Sequence, residues 1–495
     1  MATSAAAQAR LPADLDRYIE QVRQDWDVVG LAVAVVKDDS VVYAKGFGRR
    51  DLRQSDPVDE HTLFAIGSNT KAFTSAAIGI LVDEERMTLD DRVIEHLPWF
   101  QLYDPYVTRE IRVRDLLSHR SGLGRRGDAN WYGTDFDRDE VVRRIRYLEP
   151  NSSFRAAYGY QNTMFLTAGE VIEAVAGMTW DGFIKTRIFR PLGMARSNTS
   201  TVDLEWIDNV ATPHARIDGE VTPVPYRNLD NVAAAGSINS SVREMTRWMR
   251  MMLAGGEFAG TRILSADVVR EVHTPQTITG LSPQTKKLFP STHFATYGLG
   301  WGLRDYHGRL LASHTGGIDG MLSQVMLIPE EQLGVVVLTN TSPNSAFNAV
   351  TFHIVDWYLD APRQDWNATF LELAEQQEKA TEEQRTKREN GRVKGTKPSL
   401  ALSKYVGTYE DDMYGAVTIA QEDGGLVIRR HTAWVGNLVH WHYDTFEVKW
   451  RDRVMGTTML TFTIDAEGNV EALEVENLED FERVEEKPGD IGAPR

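Results

Sequence analysis

Five apolar runs of strand length sit at the two ends of the first 360 residues. Residues 31–37 and 41–46 form one group and are joined by Asp38-Asp39-Ser40, which predicts a hairpin. Residues 310–317, 323–328 and 333–340 form the other. Between them apolar residues recur at helical spacing, as in Phe165, Ala168, Val171, Ile172 and Val175, and again in Met245, Trp248, Met249 and Met252. An amphipathic helix is predicted at 12–26, before the first strand group, and a helix at 345–359 closes the unit after the second. Strands so far apart share a sheet only if the middle is extruded as a helical insertion. The prediction is therefore an α+β unit: an antiparallel sheet flanked by helices, plus a helical region.

The residue pattern changes after position 360. Residues 372–388 are charged and helical with little apolar face, and 391–398 are rich in Gly and Lys. From 402 onward, short alternating runs at 405–409, 416–420, 426–430, 435–442, 445–450, 459–464 and 470–475 are separated by turn clusters such as Glu422-Asp423-Gly424-Gly425. This spacing predicts a small all-β barrel with its own alternating core. The domain reading is 1–360, a helical and flexible linker at 361–400, a barrel at 401–486 and a tail at 487–495. The segment 474–486 reads as an acidic end.

Composition narrows the function classes. The net charge of −17 comes without a Lys/Arg cluster, which argues against a nucleic-acid partner. No apolar run approaches membrane-spanning length. The absence of cysteine excludes disulfides, thiolate catalysis and Cys-based zinc sites. No cofactor is predicted. His440 and His442 alternate on one strand face, but without a third ligand no metal is predicted. Residues 1–9 are small, like those at a signal cleavage site, but lack the regions that precede one. Periplasmic or secreted and cytoplasmic locations both stay open, as does homo-oligomerisation.

Between the first strands and the helical middle lies Gly67-Ser68-Asn69-Thr70-Lys71, running into the apolar stretch 72–78. Ser68 and Lys71 fall one turn apart on one face of a helix start. A serine hydroxyl needs a neighbouring base to become nucleophilic, and a desolvated lysine can be that base. The helix start supplies N–H groups for developing negative charge. Taken alone the pattern also occurs by chance, so its weight depends on partners elsewhere in the chain.

Two such partners come later in the chain: Tyr160-x-Asn162, and then His314-Thr315-Gly316-Gly317. With Ser68-x-x-Lys71 in that order, residues 12–360 resemble the serine beta-lactamase and penicillin-binding-protein superfamily, nearest its class C lactamase-like S12 peptidases and esterases. Residues from 403 onward resemble the lipocalin-like domain appended to many such hydrolases. The resemblance implies that Ser68 is acylated, Lys71 accepts its proton, and Tyr160 shares that proton. It further implies that Asn162, His314, Thr315 and Gly316 contact the substrate, and that the N–H groups of Ser68 and Gly317 form an oxyanion hole. Without it, Tyr160 reads as a buried aromatic, Asn162 as a helix cap and His314 as a strand histidine.

Many relatives carry Lys at the His314 position, so strong carboxylate capture there is not expected. Arg125, Arg126 and His119 fall near the predicted cleft mouth and read as solvated surface, with contact to an acidic substrate as the alternative. The segments 124–137 and 276–294 are predicted as long surface loops. The implied activity is hydrolysis of an amide or ester bond in small peptides or D-amino-acid derivatives. A carboxylesterase or acyltransferase is the alternative enzyme, and a silent penicillin-sensor-like binding protein is the rival from another class.

Overall fold

The computed structural model describes residues 11–484 apart from 477 and 479. The expectations for residues 1–9 and for the tail 487–495 lie outside them. The described residues divide into two compact units: those up to 125 with 149–376, and 126–148 with those from 377 onward.

The first unit carries an eight-stranded sheet whose paired strands are all antiparallel. Its strands in chain order are β1 (Gly30–Lys37), β2 (Ser40–Gly48), β3 (Thr277–Ile278), β4 (Ala295–Tyr297), β5 (Gly302–Tyr306), β6 (Arg309–Ile318), β7 (Met321–Ile328) and β8 (Leu333–Thr339). In space they run β2-β1-β8-β7-β6-β5-β4-β3, so the two ends of the unit meet at the β1–β8 pair as the sequence predicts. β1 and β8 are buried along nearly their whole length, which is why they read as continuous apolar runs.

The longest helices are α1 (Leu15–Asp25), α2 (Thr70–Asp83), α3 (Asn162–Ala176), α4 (Val242–Leu253), α5 (Ala346–Tyr358) and α6 (Trp366–Asn390). α1 and α5 cover one sheet face, where Leu31, Val33, Val335 and Val337 join Ile19, Val350 and Trp366 in the core. α4 covers the other, with Met245, Trp248, Met249 and Met252 all buried. The methionines fill core space, as unbranched side chains can between irregular neighbours. α2 is buried on every side from Thr70 to Leu81, so it is held by packing rather than by an amphipathic stripe.

The expected loop at 276–294 is partly ordered. Thr277–Ile278 adds the edge strand β3, and Pro283–Leu288 is a short helix capped by Ser282. Residues 124–137 depart further from expectation. Arg125–Asn130 is a 3₁₀ turn, and residues 126–148 cluster with the second unit. The physical reason is burial: Trp131 and Asn130 are enclosed, and Asn130 Nδ2 donates to Val141 O at 3.0 Å.

The second unit is a closed barrel of eight antiparallel strands. Seven follow the predicted runs. The eighth, Asp480–Arg483, lies in the segment that reads as an acidic end, and it closes the barrel by pairing with Gly407–Asp411. Phe481 between its charged neighbours is fully buried, which is the apolar anchor that the surrounding acids mask. The interior is filled by Tyr405, Tyr409, Phe446, Phe462 and Leu473. Segment 126–148 is part of this unit's packing: Arg430 Nη1 donates to Ala129 O at 2.9 Å, and Trp434 Nε1 donates to Tyr132 O at 2.7 Å. His440 and His442 are engaged with the backbone of Tyr443 and Val393, respectively. Among the described residues no helix is long and apolar enough to cross a membrane.

Candidate active site

Ser68 lies in a 3₁₀ turn, Gly67–Asn69, that leads directly into α2. Gly67 has φ +52°, and a Cβ there would lie 2.8 Å from the N of Gly317 on β6. A Cβ on Gly316 would lie 1.9 Å from the carbonyl oxygen of Ile66. Two glycines facing each other therefore let the nucleophile turn and the strand touch backbone to backbone. Ser323, paired with Gly316 across β6 and β7, ties the contact: its hydroxyl donates to Ile66 O at 2.7 Å and accepts from Asn69 Nδ2 at 2.8 Å. This places the Gly317 N–H beside the serine turn, as an oxyanion hole requires.

Lys71 is fully buried, and three oxygens lie within hydrogen-bond distance of its ammonium nitrogen. They are Asn162 Oδ1 at 2.7 Å, Ala235 O at 2.9 Å and Ser68 Oγ at 3.0 Å. The first two are carbonyl oxygens and only accept, so each takes one proton from the nitrogen. The third direction points at Ser68. A charged Lys71 donates along it, whereas a neutral Lys71 presents a lone pair that can take the serine proton. On the other side, Tyr160 OH donates to Ser68 Oγ at 2.8 Å. The nucleophile thus stands between two groups that can exchange its proton. Asn162 is the first residue of α3 rather than its cap, which frees its amide to reach Lys71.

β6 outruns its neighbour. β5 pairs with it only as far as Gly302 opposite Ser313, so among the described residues 314–318 keep one edge without a sheet partner. Thr315 and Gly317 are exposed along that edge, and an extended substrate can hydrogen-bond there as an added strand. His314 points inward. Its Nδ1 lies 2.6 Å from Thr315 O and its Nε2 2.9 Å from the buried Tyr297 hydroxyl. A carbonyl needs a donor, so the single proton of a neutral ring is on Nδ1 and Tyr297 donates to Nε2. Burial, and next the charge of Lys71, push the His314 pKa down to about 3.

His119 is not at a solvated mouth. It is fully buried, with its ring 4.3 Å from that of Tyr160 and 4.6 Å from that of Tyr297. Its Nδ1 accepts from Gln161 N at 3.0 Å, and its backbone sits at φ +56°. Burial first, then Lys71, hold its pKa well below the ordinary histidine range. Arg125, by contrast, is exposed, and its guanidinium carbon lies 4.6 Å from the Tyr160 ring centre.

The structure thus gathers Ser68, Lys71, Tyr160 and Asn162 into one hydrogen-bonded group and lays Gly316 and Gly317 against it. Thr315 lines the open edge, and His314 lies behind it. Sequence reasoning missed Ala235, Ser323, Asn69 and Tyr297. The Ala235 contribution is a backbone oxygen, which leaves no side-chain signal.

Comparison with known proteins matches residues 15–356 to the family described as Beta-lactamase, and 391–487 to a domain of unknown function, DUF3471. An unguisins hydrolase of Aspergillus campestris is 29% identical over 446 residues, covering 83% of this chain and 78% of its own. Penicillin-binding protein 4 of Amycolatopsis lactamdurans is 28% identical over 66% of this chain and 85% of its own. Among solved structures, an octameric penicillin-binding protein homologue from Pyrococcus abyssi superposes with a TM-score of 0.63 at 23% identity, over 95% of this chain and 99% of its own. A D-stereospecific amidohydrolase from Streptomyces has a TM-score of 0.55 at 23% identity, over 69% of this chain and 98% of its own. With its fold, its site and a family match over most of its length, the chain belongs to the beta-lactamase family, a serine hydrolase of the beta-lactamase and penicillin-binding-protein superfamily.

Proposed function

We propose that this protein cleaves an amide or ester bond through an acyl-enzyme on Ser68, acting on small peptides or D-amino-acid derivatives in the manner of S12 peptidases. The observation that carries the reading is the position of Ser68 Oγ, 3.0 Å from Lys71 Nζ and 2.8 Å from Tyr160 OH. In this reading Ser68 Oγ attacks the substrate carbonyl and its proton passes to the Lys71–Tyr160 pair. The N–H groups of Ser68 and Gly317 hold the oxyanion. Tyr160 then protonates the leaving nitrogen or oxygen as the bond to carbon breaks. Water repeats the sequence to release the acid and restore the serine.

A D-stereospecific amidohydrolase among the fold neighbours and an unguisins hydrolase among the relatives agree with amide chemistry. A silent binding protein has no use for a serine bracketed by two proton carriers. The chemistry lies within residues 1–360, and the barrel at 401–486, which resembles lipocalins, takes no part in it. The test is intact-mass spectrometry after exposure to a fluorophosphonate. Wild type gains one adduct mass and Ser68→Ala gains none. Labelling of the alanine variant overturns the assignment.

A further inference from the structure

The first unit holds several cations near its reactive serine, and most are already paired. Arg120 and Arg155 both bind Asp115, each with a contact of 2.6 Å, and that carboxylate is fully buried between them. Arg114 is held by Asp90 and Glu271, each at 2.8 Å. Lys71 is spent on Asn162, Ala235 and Ser68. His314 has both ring nitrogens occupied and carries no charge at neutral pH.

Arg125 is different. Among the described residues it has no carboxylate partner, and its guanidinium rests on the face of Tyr160. The chain leading to it is anchored as far as Gly124. Gly159 N donates to His119 O at 2.9 Å, Arg155 N donates to Arg120 O at 2.8 Å, and the Gln161 amide donates to Gly124 O. These bonds tie the loop that ends at Arg125 to residues 155–161, the segment that delivers Tyr160. A Cβ on Gly159 would lie 2.3 Å from Leu123 O, so the two segments are in backbone contact. In the proposed mechanism Tyr160 serves the leaving group, and the exposed Arg125 lies over its ring.

We infer that Arg125 is the specificity-determining residue of this site and binds a carboxylate on the leaving-group side of the substrate. The inference rests on the proposed acyl-enzyme reading. A planar guanidinium with free N–H groups matches a carboxylate bidentately. Stacking on the tyrosine keeps it planar and restrained while leaving those edges available. The role that relatives give to a strand lysine is thereby moved to the opposite wall of the cleft, where His314 cannot fill it.

The experiment follows the rate at which a fluorophosphonate labels Ser68 in the presence of N-acetyl-D-alanyl-D-alanine or its C-terminal carboxamide. The two differ only in the anionic group, and protection needs no turnover. The free acid should protect wild type at concentrations about tenfold lower than the amide does, the effect of one charge-assisted contact. The ratio should shrink in high salt, because the arginine is exposed. It should collapse toward one in Arg125→Gln and return in part in Arg125→Lys. A ratio near one in wild type, or a ratio unaltered by Arg125→Gln, overturns the inference even though Ser68 still labels. Equal slowing of labelling in Arg125→Gln with the ratio intact assigns the arginine to Tyr160 alone and also overturns it. If wild type does not label at all, the acyl-enzyme reading itself has failed.

Discussion

The reactive centre of the first unit and the interior of the barrel are both buried, yet they are built from opposite materials. Around Ser68 the enclosed groups are Lys71, Asn162, His119, His314 and Ser323, each against a polar partner or a ring. Inside the barrel Phe462 lies against Tyr405, Tyr409 and Phe446 at ring distances of 4.8 to 5.9 Å, and the two tyrosine hydroxyls are tied to Asp444 and to Tyr405 O. Buried polar groups cost free energy unless paired, so a site made of them is maintained for chemistry. Buried rings gain free energy directly from leaving water. The two regions should therefore fail in different ways: the first in turnover, the second in stability.

The largest effect should come from the first region. Ser68→Ala removes the nucleophile and Lys71→Met removes its proton acceptor while keeping the stem. Each should lower turnover of a reactive ester by roughly 10⁴ or more, the scale seen when a nucleophile or its base is deleted. Circular dichroism and thermal melting should stay near wild type. Near-normal turnover in either variant would break the comparison at once.

Tyr160→Phe should come next. It removes one hydroxyl and almost no volume, so turnover should fall by roughly 10²–10⁴ while folding survives. Steady-state kinetics on paired amide and ester substrates would sharpen the assignment. The amide should suffer more, because its poorer leaving group needs the proton that Tyr160 supplies.

Legibility in the sequence divides along the same line. Alternation of apolar and polar residues announces seven barrel strands, since period two is a direct imprint of a buried face. It misses Asp480–Arg483, where charged residues flank a single buried Phe481. Ser68, Lys71, Tyr160 and Asn162 are legible through order and spacing. Tyr297, Ser323 and Ala235 are not, because each enters the site through three-dimensional proximity. His119 reads as surface because it stands beside arginines, and only the fold shows Tyr160 and Tyr297 closing around it. The segment 124–137 reads as loop because what holds it, the backbone oxygens of Ala129 and Tyr132 and the Asp135 carboxylate, bonds to residues some 300 positions away.

In the second region Phe462→Ala should reverse the pattern. The ring is 3% exposed and surrounded by aromatics, so deletion should cost about 3–5 kcal/mol of the unit's stability. Denaturant unfolding followed by barrel tryptophan fluorescence would read this. The rate at which a small fluorophosphonate labels Ser68 should change less than threefold at temperatures where the barrel stays folded. Loss of labelling in parallel with barrel stability would erase the distinction between the two regions.

The smallest effect concerns the acid limb of stability, and its sign is set by His314. In the folded protein its pKa is about 3, against 6.5 when unfolded. Between those values the unfolded chain binds a proton that the folded chain refuses. The stabilising contribution is therefore complete above about pH 6.5 and is lost as pH falls toward 3. By pH 4.5 one such group removes about 2–3 kcal/mol. His119 is shifted in the same direction, so replacing His314 removes only part of the slope. Gln is the substitution to make, since its amide can accept from Tyr297 and donate to Thr315 without titrating. Urea midpoints of the first unit at pH 7 and pH 4.5 should show wild type losing more stability than His314→Gln, by about 2 kcal/mol. His314→Lys should behave differently again, because its ammonium cannot accept the Tyr297 proton. That variant should be destabilised already at pH 7. Equal acid losses in wild type and His314→Gln would mean that His314 is not held neutral in the fold, and the proton count at this wall of the site would have to be redrawn.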